Sequence, residues 1–396
     1  MPTRQSPQLG WVLFFVLGAI GALTPLAIDM YLPAMPSIAK DLGVTAGEVQ
    51  ITLTAYTAGF AIGQLLHGPL ADSYGRRPVL IIGVVLFAIA SMVSATTTGI
   101  DSLTWIRAAQ GFAGAAAAVV IQAVVRDMFD REDFARAMSF VTLVMTVAPL
   151  VVPMIGGHLA IWFGWRSIFW VLAIFSAVVI AAVMWKIPET LAEENRQPLR
   201  VRSTFSNYFK LLSNPVAMGL ILSSSFSFAG MFAFLTAGAF VYIGLYGVSP
   251  DEFGYLFGLN VVCLIGMTSL NGRIVKKMGS HWMLRFGLLL QLLAGVGLVV
   301  GWILDLGLWG IVPFVMLFVG TISTIGSNSM ALLLSGYPTM AGTALSLAGT
   351  LRFGTGSIIG AVVAVMPSDS AAPMIFVMSL CALLSALFYW LLGRKA

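Results

Sequence analysis

Gly68-Pro69-Leu70-Ala71-Asp72-Ser73-Tyr74-Gly75-Arg76-Arg77 is a dense polar knot between two long apolar segments. Its two glycines permit tight turns, its carboxylate stands four residues before a pair of arginines, and Pro78 opens the next apolar run. Charge alone would make it a loop that ends two membrane spans. The spacing of glycines, acid and bases asks for more than that.

Outward from the knot the chain is strongly apolar. Hydrophobic residues make up 59% of 396 positions and charged residues 9%, against about 25% charged in a soluble domain. Apolar runs of about 20 residues recur, the length that crosses a bilayer as a helix. Strand-period alternation does not, which disfavours a membrane barrel. The expected fold class is therefore an all-α membrane protein with twelve transmembrane helices. They fall near 11–32, 49–70, 78–97, 102–125, 136–160, 166–187, 215–243, 252–274, 282–303, 308–332, 341–366 and 371–392. Arg4 and the run from Trp11 resemble a secretory leader, but Asp29-Met30-Tyr31-Leu32-Pro33 follows instead of a small-residue cleavage site, so the run reads as a retained first span. Cys263 and Cys381 both fall in apolar runs and read as buried thiols.

Lysine and arginine placement sets orientation. With both termini cytoplasmic, 17 of the 21 bases lie on the cytoplasmic side, and only Lys40 and Arg166 lie on the other. The net charge of +5 is then explained by topology determinants beside anionic lipid, without nucleic acid.

An offset of 204 residues aligns Val44-Thr45-Ala46-Gly47-Glu48 with Val248-Ser249-Pro250-Asp251-Glu252, both capping boxes, and Gly68, Gly75 and Gly156 with Gly272, Gly279 and Gly360. This predicts two pseudo-symmetric six-helix bundles, residues 1–187 and 215–396, joined by a cytoplasmic linker over 188–214. The second copy of the knot keeps its glycines but not the acid or the arginine pair. The glycines belong to the fold, and Asp72, Arg76 and Arg77 to something only the first half does.

Ionisable groups at membrane depth cost about 3 kcal/mol or more and are functional candidates. Three stand out: Asp29, Arg107 and Arg352. Asp29, in the outer part of span 1, is either an interfacial acid or a poorly solvated carboxylate that carries a proton through a cycle. Arg107 shares a helical face with Gln110, Gly111 and Gly114, and either points to a polar interior or snorkels outward. Arg352 lies too deep in span 11 to snorkel. Span 5 carries Pro149, Pro153, Gly156 and Gly157, a kinked, smooth, small-residue face. Tyr31, Tyr56, Gln64, Gln110, Phe228, Met231 and Phe232 are candidates to line a cavity for amphipathic molecules. His67 and His158 read as packing residues. Nucleotide-binding loops, metal-ligand clusters and hydrolase motifs are absent, so no catalytic or metal residue and no cofactor is expected, and energy must come from a gradient.

Gly68-x-Leu70-Ala71-Asp72-x-x-Gly75-Arg76-Arg77 resembles the signature between spans 2 and 3 of the major facilitator superfamily. Leu103-x-x-x-Arg107-x-x-Gln110-Gly111-x-x-Gly114 is similar to that family's span 4 motif, whose arginine is linked to proton transfer. Pro153-x-x-Gly156-Gly157 resembles its span 5 antiporter motif, with Val152 where a glycine is usual. Asp29-Met30-Tyr31-Leu32-Pro33-Ala34, Phe226 to Phe232 and Leu347 to Gly354 resemble the bicyclomycin/chloramphenicol-resistance subfamily of drug:proton antiporters. The resemblance implies an inner-membrane exporter that exchanges protons for bicyclomycin-like drugs, with sulfonamides, chloramphenicol or small metabolites such as cysteine as further candidates, and we expect it to work as a monomer. For such an exporter we expect Asp29, Arg107 and Arg352 to be the coupling residues and Gly68, Asp72, Gly75, Arg76 and Arg77 to form a conformational latch. An uptake symporter of the same fold and a non-transporting receptor or scaffold are the alternatives.

Overall fold

The computed structural model describes residues 11–129, 131–196, 208–337, 340–367 and 369–395. Twelve long helices follow one another: α1 (Trp11–Asp29), α2 (Ala46–Tyr74), α3 (Arg76–Thr96), α4 (Ile100–Met128), α5 (Arg131–Phe163), α6 (Arg166–Lys186), α7 (Pro215–Ala239), α8 (Pro250–Met278), α9 (Ser280–Ile303), α10 (Val312–Gly336), α11 (Ala341–Ala364) and α12 (Ala372–Leu391). Each belongs to a segment long and apolar enough to cross a membrane, and no strand occurs among the described residues. A helix pairs its backbone N–H and C=O groups within the segment, which hydrocarbon demands.

Local chemistry sets the ends. Thr45 accepts from the Glu48 N–H at 3.3 Å, and Glu48 accepts from the Thr45 N–H at 2.8 Å, so the predicted capping box starts α2 at Ala46 and not at 49. Ser249 and Glu252 form the same box at the start of α8. The first helix ends at Asp29, earlier than expected, and a 3-10 turn (Leu32–Ala34) and a short helix (Met35–Leu42) carry the chain onward.

The knot is the clearest departure from expectation. It is not a ten-residue loop: α2 runs through Gly68 and Asp72 to Tyr74, and α3 begins at Arg76. Gly75 alone breaks the helix, at φ 102°, a conformation that costs glycine nothing and L side chains much. Gly68 sits inside α2 with no turn to make. Gly279, its counterpart 204 positions after Gly75, has φ 82° between α8 and α9.

The repeat is visible in the helix starts. Those of α1 and α7, α2 and α8, and α3 and α9 are each 204 residues apart. Packing follows the same symmetry. Within the first six helices α2 packs on α4, α3 on α4 and α6, and α1 on α5; within the last six, α8 packs on α10, α9 on α10 and α12, and α7 on α11. Two seams join the groups: α2 against α11, and α5 against α8. These are symmetry-related pairs.

The tightest crossing lies within the first group. A Cβ on Gly59 would run into the Ala108 carbonyl, and one on Gly111 into the Tyr56 carbonyl, so α2 and α4 meet backbone to backbone. We expect Gly111→Ala to lower the melting temperature of detergent-purified protein, at a cost of about 1–3 kcal/mol for overpacking. Gly272→Ala, on α8 where nothing stands within 4 Å of the added Cβ, should leave it unchanged or raise it.

Candidate functional site

The two groups of helices enclose a cavity of about 390 Å³ between α1 and α5 on one side and α7, α8, α10 and α11 on the other. At one end the groups touch closely. A Cβ on Gly157 would meet the backbone of Pro250 and one on Gly254 the backbone of Met154, while Leu150 lies 3.1 Å from the Cβ position of Gly258. Further along α5, Pro149, Thr146, Met145 and Thr142 face the cavity instead. Gly156 packs on the Met30 carbonyl. The small-residue face of α5 is thus a seam that locks against α8 and against the chain after α1, and α5 is helical through both Pro149 and Pro153.

Asp29 borders this cavity. It is 6% exposed, held within the protein and not open to solvent. Among the described residues neither of its oxygens accepts a hydrogen bond or pairs with a base. A carboxylate held away from water without a partner is costly in its charged form, and this one lies where a ligand can approach it.

Arg107 is fully buried, which excludes snorkelling. Its Nη2 donates to the Ala27 carbonyl at 3.1 Å, and its Nη1 to Gln110 Oε1 at 2.7 Å. Ala27 lies in the last turn of α1, where carbonyls have no intrahelical donor, so the guanidinium caps that helix where the dipole favours a cation. The Tyr31, Tyr56 and Phe169 rings surround it at 4.7, 4.4 and 5.7 Å from Cζ. Gln110 passes the network on to Ser91 at 2.7 Å. The cap ends two residues before Asp29, so Arg107 fixes the helix end that presents the acid.

This cage corrects part of the expected lining. Tyr31, Tyr56 and Gln110 are fully buried inside the first group around Arg107, because a buried guanidinium recruits rings and amide oxygen. Gln64 does not line the cavity either: its Oε1 lies 2.8 Å from where a Cβ of Gly349 would stand, in the α2–α11 seam. Phe228, Met231 and Phe232 do line the cavity, together with Phe353 and Phe257. The Phe228, Phe232 and Phe353 rings pack at 5.2 to 6.1 Å from one another. Arg352 lies just outside, half-buried on α11 with Cζ 5.4 Å from the Phe228 ring centre, and has no ion pair among the described residues. The structure does not bring Arg352 and Asp29 into contact.

The knot lies apart from the cavity. Buried Arg76 pairs with Asp72 at 2.5 Å and Asp127 at 3.3 Å. Glu189, just after α6, accepts from the backbone N–H groups of Arg76 and Arg77 at 3.0 and 3.2 Å, a carboxylate on the N-terminus of α3. Arg77 Nη2 donates to the Met184 carbonyl at 2.8 Å. Every partner belongs to the first six helices or the residues just after them. Sequence reading missed Asp127 and Glu189, which are remote in the chain, and it missed Asn260 on α8, a polar side chain that lines the cavity. A lone asparagine inside an apolar run was the available signal.

Twelve spanning helices in two symmetry-related groups, with a cavity at their junction, define a membrane transporter. The sequence profile of the Major Facilitator Superfamily matches residues 17–361, and the chain belongs to that family. It is a transporter-family protein, not an enzyme, and a multi-pass protein of the bacterial inner membrane. It is 44% identical to the bicyclomycin resistance protein homolog of Haemophilus influenzae over 97% of both chains. It is 31% identical to the chloramphenicol resistance protein of Pseudomonas aeruginosa over 91% of this chain and 85% of that one, and 27% identical to multidrug resistance protein D of Escherichia coli over 97% and 96%. Among solved structures, a D-xylose-proton symporter superposes with a TM-score of 0.79 at 18% identity, over 96% of this chain and 97% of that one, which shows the fold.

Replacing Glu189 by Ala should remove the cap from α3 and lower stability by about 1 kcal/mol, read as a lower melting temperature. Arg76→Ala should cost more, since it leaves Asp127 without its buried partner.

Proposed function

We propose that the chain is a proton-coupled efflux antiporter that exports amphipathic drugs by alternating access. The observation that carries the reading is Asp29: a buried carboxylate at the wall of the junction cavity, without a partner, on a helix end fixed by Arg107. The names of the relatives point the same way, toward bicyclomycin-like compounds and chloramphenicol as substrates. The apolar, phenylalanine-rich lining suits such molecules.

In this reading both termini are cytoplasmic and the protein works as a monomer. Bundles 1–187 and 215–396, joined through 188–214, rock about the two seams. Protonation of Asp29 from the outer side competes with drug binding and so drives release, and drug entering from the cytoplasm displaces the proton. A single site that serves both ligands in turn gives obligatory exchange. Arg107 sets the position of the acid through the α1 end, and Arg352, beside Phe228, meets the substrate from α11. Asp72, Arg76 and Arg77 latch the conformation of the basic face and touch no drug. Asp72→Asn should therefore slow exchange while drug affinity stays within about twofold, a shift under the ~1 kcal/mol of a typical hydrogen bond; a pure loss of binding would assign the knot to the substrate site instead.

In proteoliposomes with an imposed pH gradient, wild-type protein should move labelled bicyclomycin against its gradient, and an uncoupler should stop it. Asp29→Asn should bind drug yet release no protons on drug addition. Wild-type coupling in that variant would sink the assignment of Asp29. Drug movement that ignores the gradient would sink the antiporter reading.

A further inference from the structure

The wall of the cavity carries few polar groups: Thr24, Asp29, Thr142, Thr146 and Asn260. Thr146 donates its hydroxyl to the Thr142 carbonyl, so it is engaged within its own helix. Asn260 is different. It is 1% exposed, and neither its Oδ1 nor its Nδ2 has a hydrogen-bond partner.

Several other buried amides in this protein are engaged at one or both ends. Gln110 takes Arg107 and gives to Ser91, Gln291 gives to Ser227 at 2.8 Å, and Asn328 gives to Asn271 at 2.7 Å. Among the described residues, Asn260 is the one carboxamide whose oxygen and nitrogen are both closed off from solvent and without a partner. An orphaned buried donor or acceptor destabilises a fold, and a leucine of similar volume would avoid that penalty at both atoms. The group also lies in the cavity wall, shielded from solvent and unmatched by protein. A small turn of the side chain toward the cavity would let a molecule held against that wall supply both partners.

We infer that Asn260 is a specificity-determining residue of the cavity, whose carboxamide binds the lactam or cis-amide edge of a neutral, compact substrate. The inference deepens the export reading and rests on it for the cavity being the drug site. A carboxamide presents a donor and an acceptor side by side in one plane, and a cis N–H/C=O edge returns an acceptor and a donor at the same spacing. Asp29, as a carboxylate, is acceptor-only and cannot make that pair. Division of labour follows. The Phe228, Phe232 and Phe353 cluster holds the apolar body, Asn260 reads the amide edge from the second group of helices, and Asp29 answers to the proton from the first. A ligand bound this way touches both groups at once.

The test titrates purified full-length protein with bicyclomycin, whose dioxopiperazine ring carries two lactam edges, and with its N,N′-dimethyl derivative, which lacks both donors. Wild type should prefer the parent compound by about tenfold or more, as expected for two hydrogen bonds gained or lost together. Asn260→Leu should abolish the preference while its melting temperature stays level or rises, because an orphaned amide has been removed. Asn260→Gln, which keeps the carboxamide one methylene further out, should retain part of it. Preference unchanged in Asn260→Leu, a markedly lower melting temperature for it, or a wild type that binds both compounds alike or neither would overturn the inference. Proton release is scored separately: selective binding by a wild type that moves no protons would defeat the antiporter reading and leave the lactam subsite standing.

Discussion

A fully buried guanidinium without a carboxylate partner is the constraint around which the first half of this protein is built. Taking Arg107 out of water costs several kcal/mol. What offsets that cost comes from four helices at once: the last-turn carbonyl of Ala27 on α1, the Tyr56 ring on α2, Gln110 on α4 itself, and Phe169 on α6, with Tyr31 following α1. A desolvated cation–π contact contributes about 2 kcal/mol and a cation at a helix C-terminus up to about 2 kcal/mol. No single term suffices, so the helices must be in place together. Gly59 and Gly111 let α2 and α4 come close enough for Tyr56 to reach the cation. The position of Asp29 is a by-product of this assembly, because the acid sits at the helix end that Arg107 caps.

Between the two groups the chemistry is different. The seams are made largely of glycines and apolar side chains, with few polar bonds: Ser357 to the Thr54 carbonyl at 2.8 Å and Ser346 to the Gln64 carbonyl at 3.5 Å on one, and glycines against backbone, Met154 and Leu150 on the other. Smooth seams without buried ion pairs can part and re-form at lower cost than interlocked or charged ones. Charge is instead concentrated where rigidity matters. Asp72, Arg76, Asp127 and Glu189 tie α2, α3, α4 and the chain after α6 into one unit at the basic end. A transporter that rocks its halves needs stiff bundles and slippery junctions, and the polar and glycine residues are distributed accordingly.

Much of the fold was legible in the sequence. Hydrocarbon leaves a chain segment of about 20 apolar residues few options besides a helix, so the twelve spans followed from composition and run length. Capping boxes at Thr45 and Ser249, and the glycines at 75 and 279, are local rules that tertiary context did not override. The knot was misjudged in extent because glycine and proline density suggested a loop. A single positive-φ glycine was enough to turn the chain, and Pro69 is carried within α2.

The sequence by itself determined the number of membrane helices and their repeat, and singled out Asp29, Arg107 and Arg352, because each of these depends only on local apolar length, periodicity and the rarity of charge in lipid. Tertiary structure alone decided which side chains share a space. Tyr31, Tyr56 and Gln110 lie on the right helices to line a cavity, but the buried cation claims them, while Asn260, on an apolar stretch of α8, is left at the cavity wall without a partner. Glu189 reaches α3 across more than a hundred residues of chain. Helix rotation and the pairing of distant segments are set by the packing of all twelve helices together, and no window of sequence contains that information.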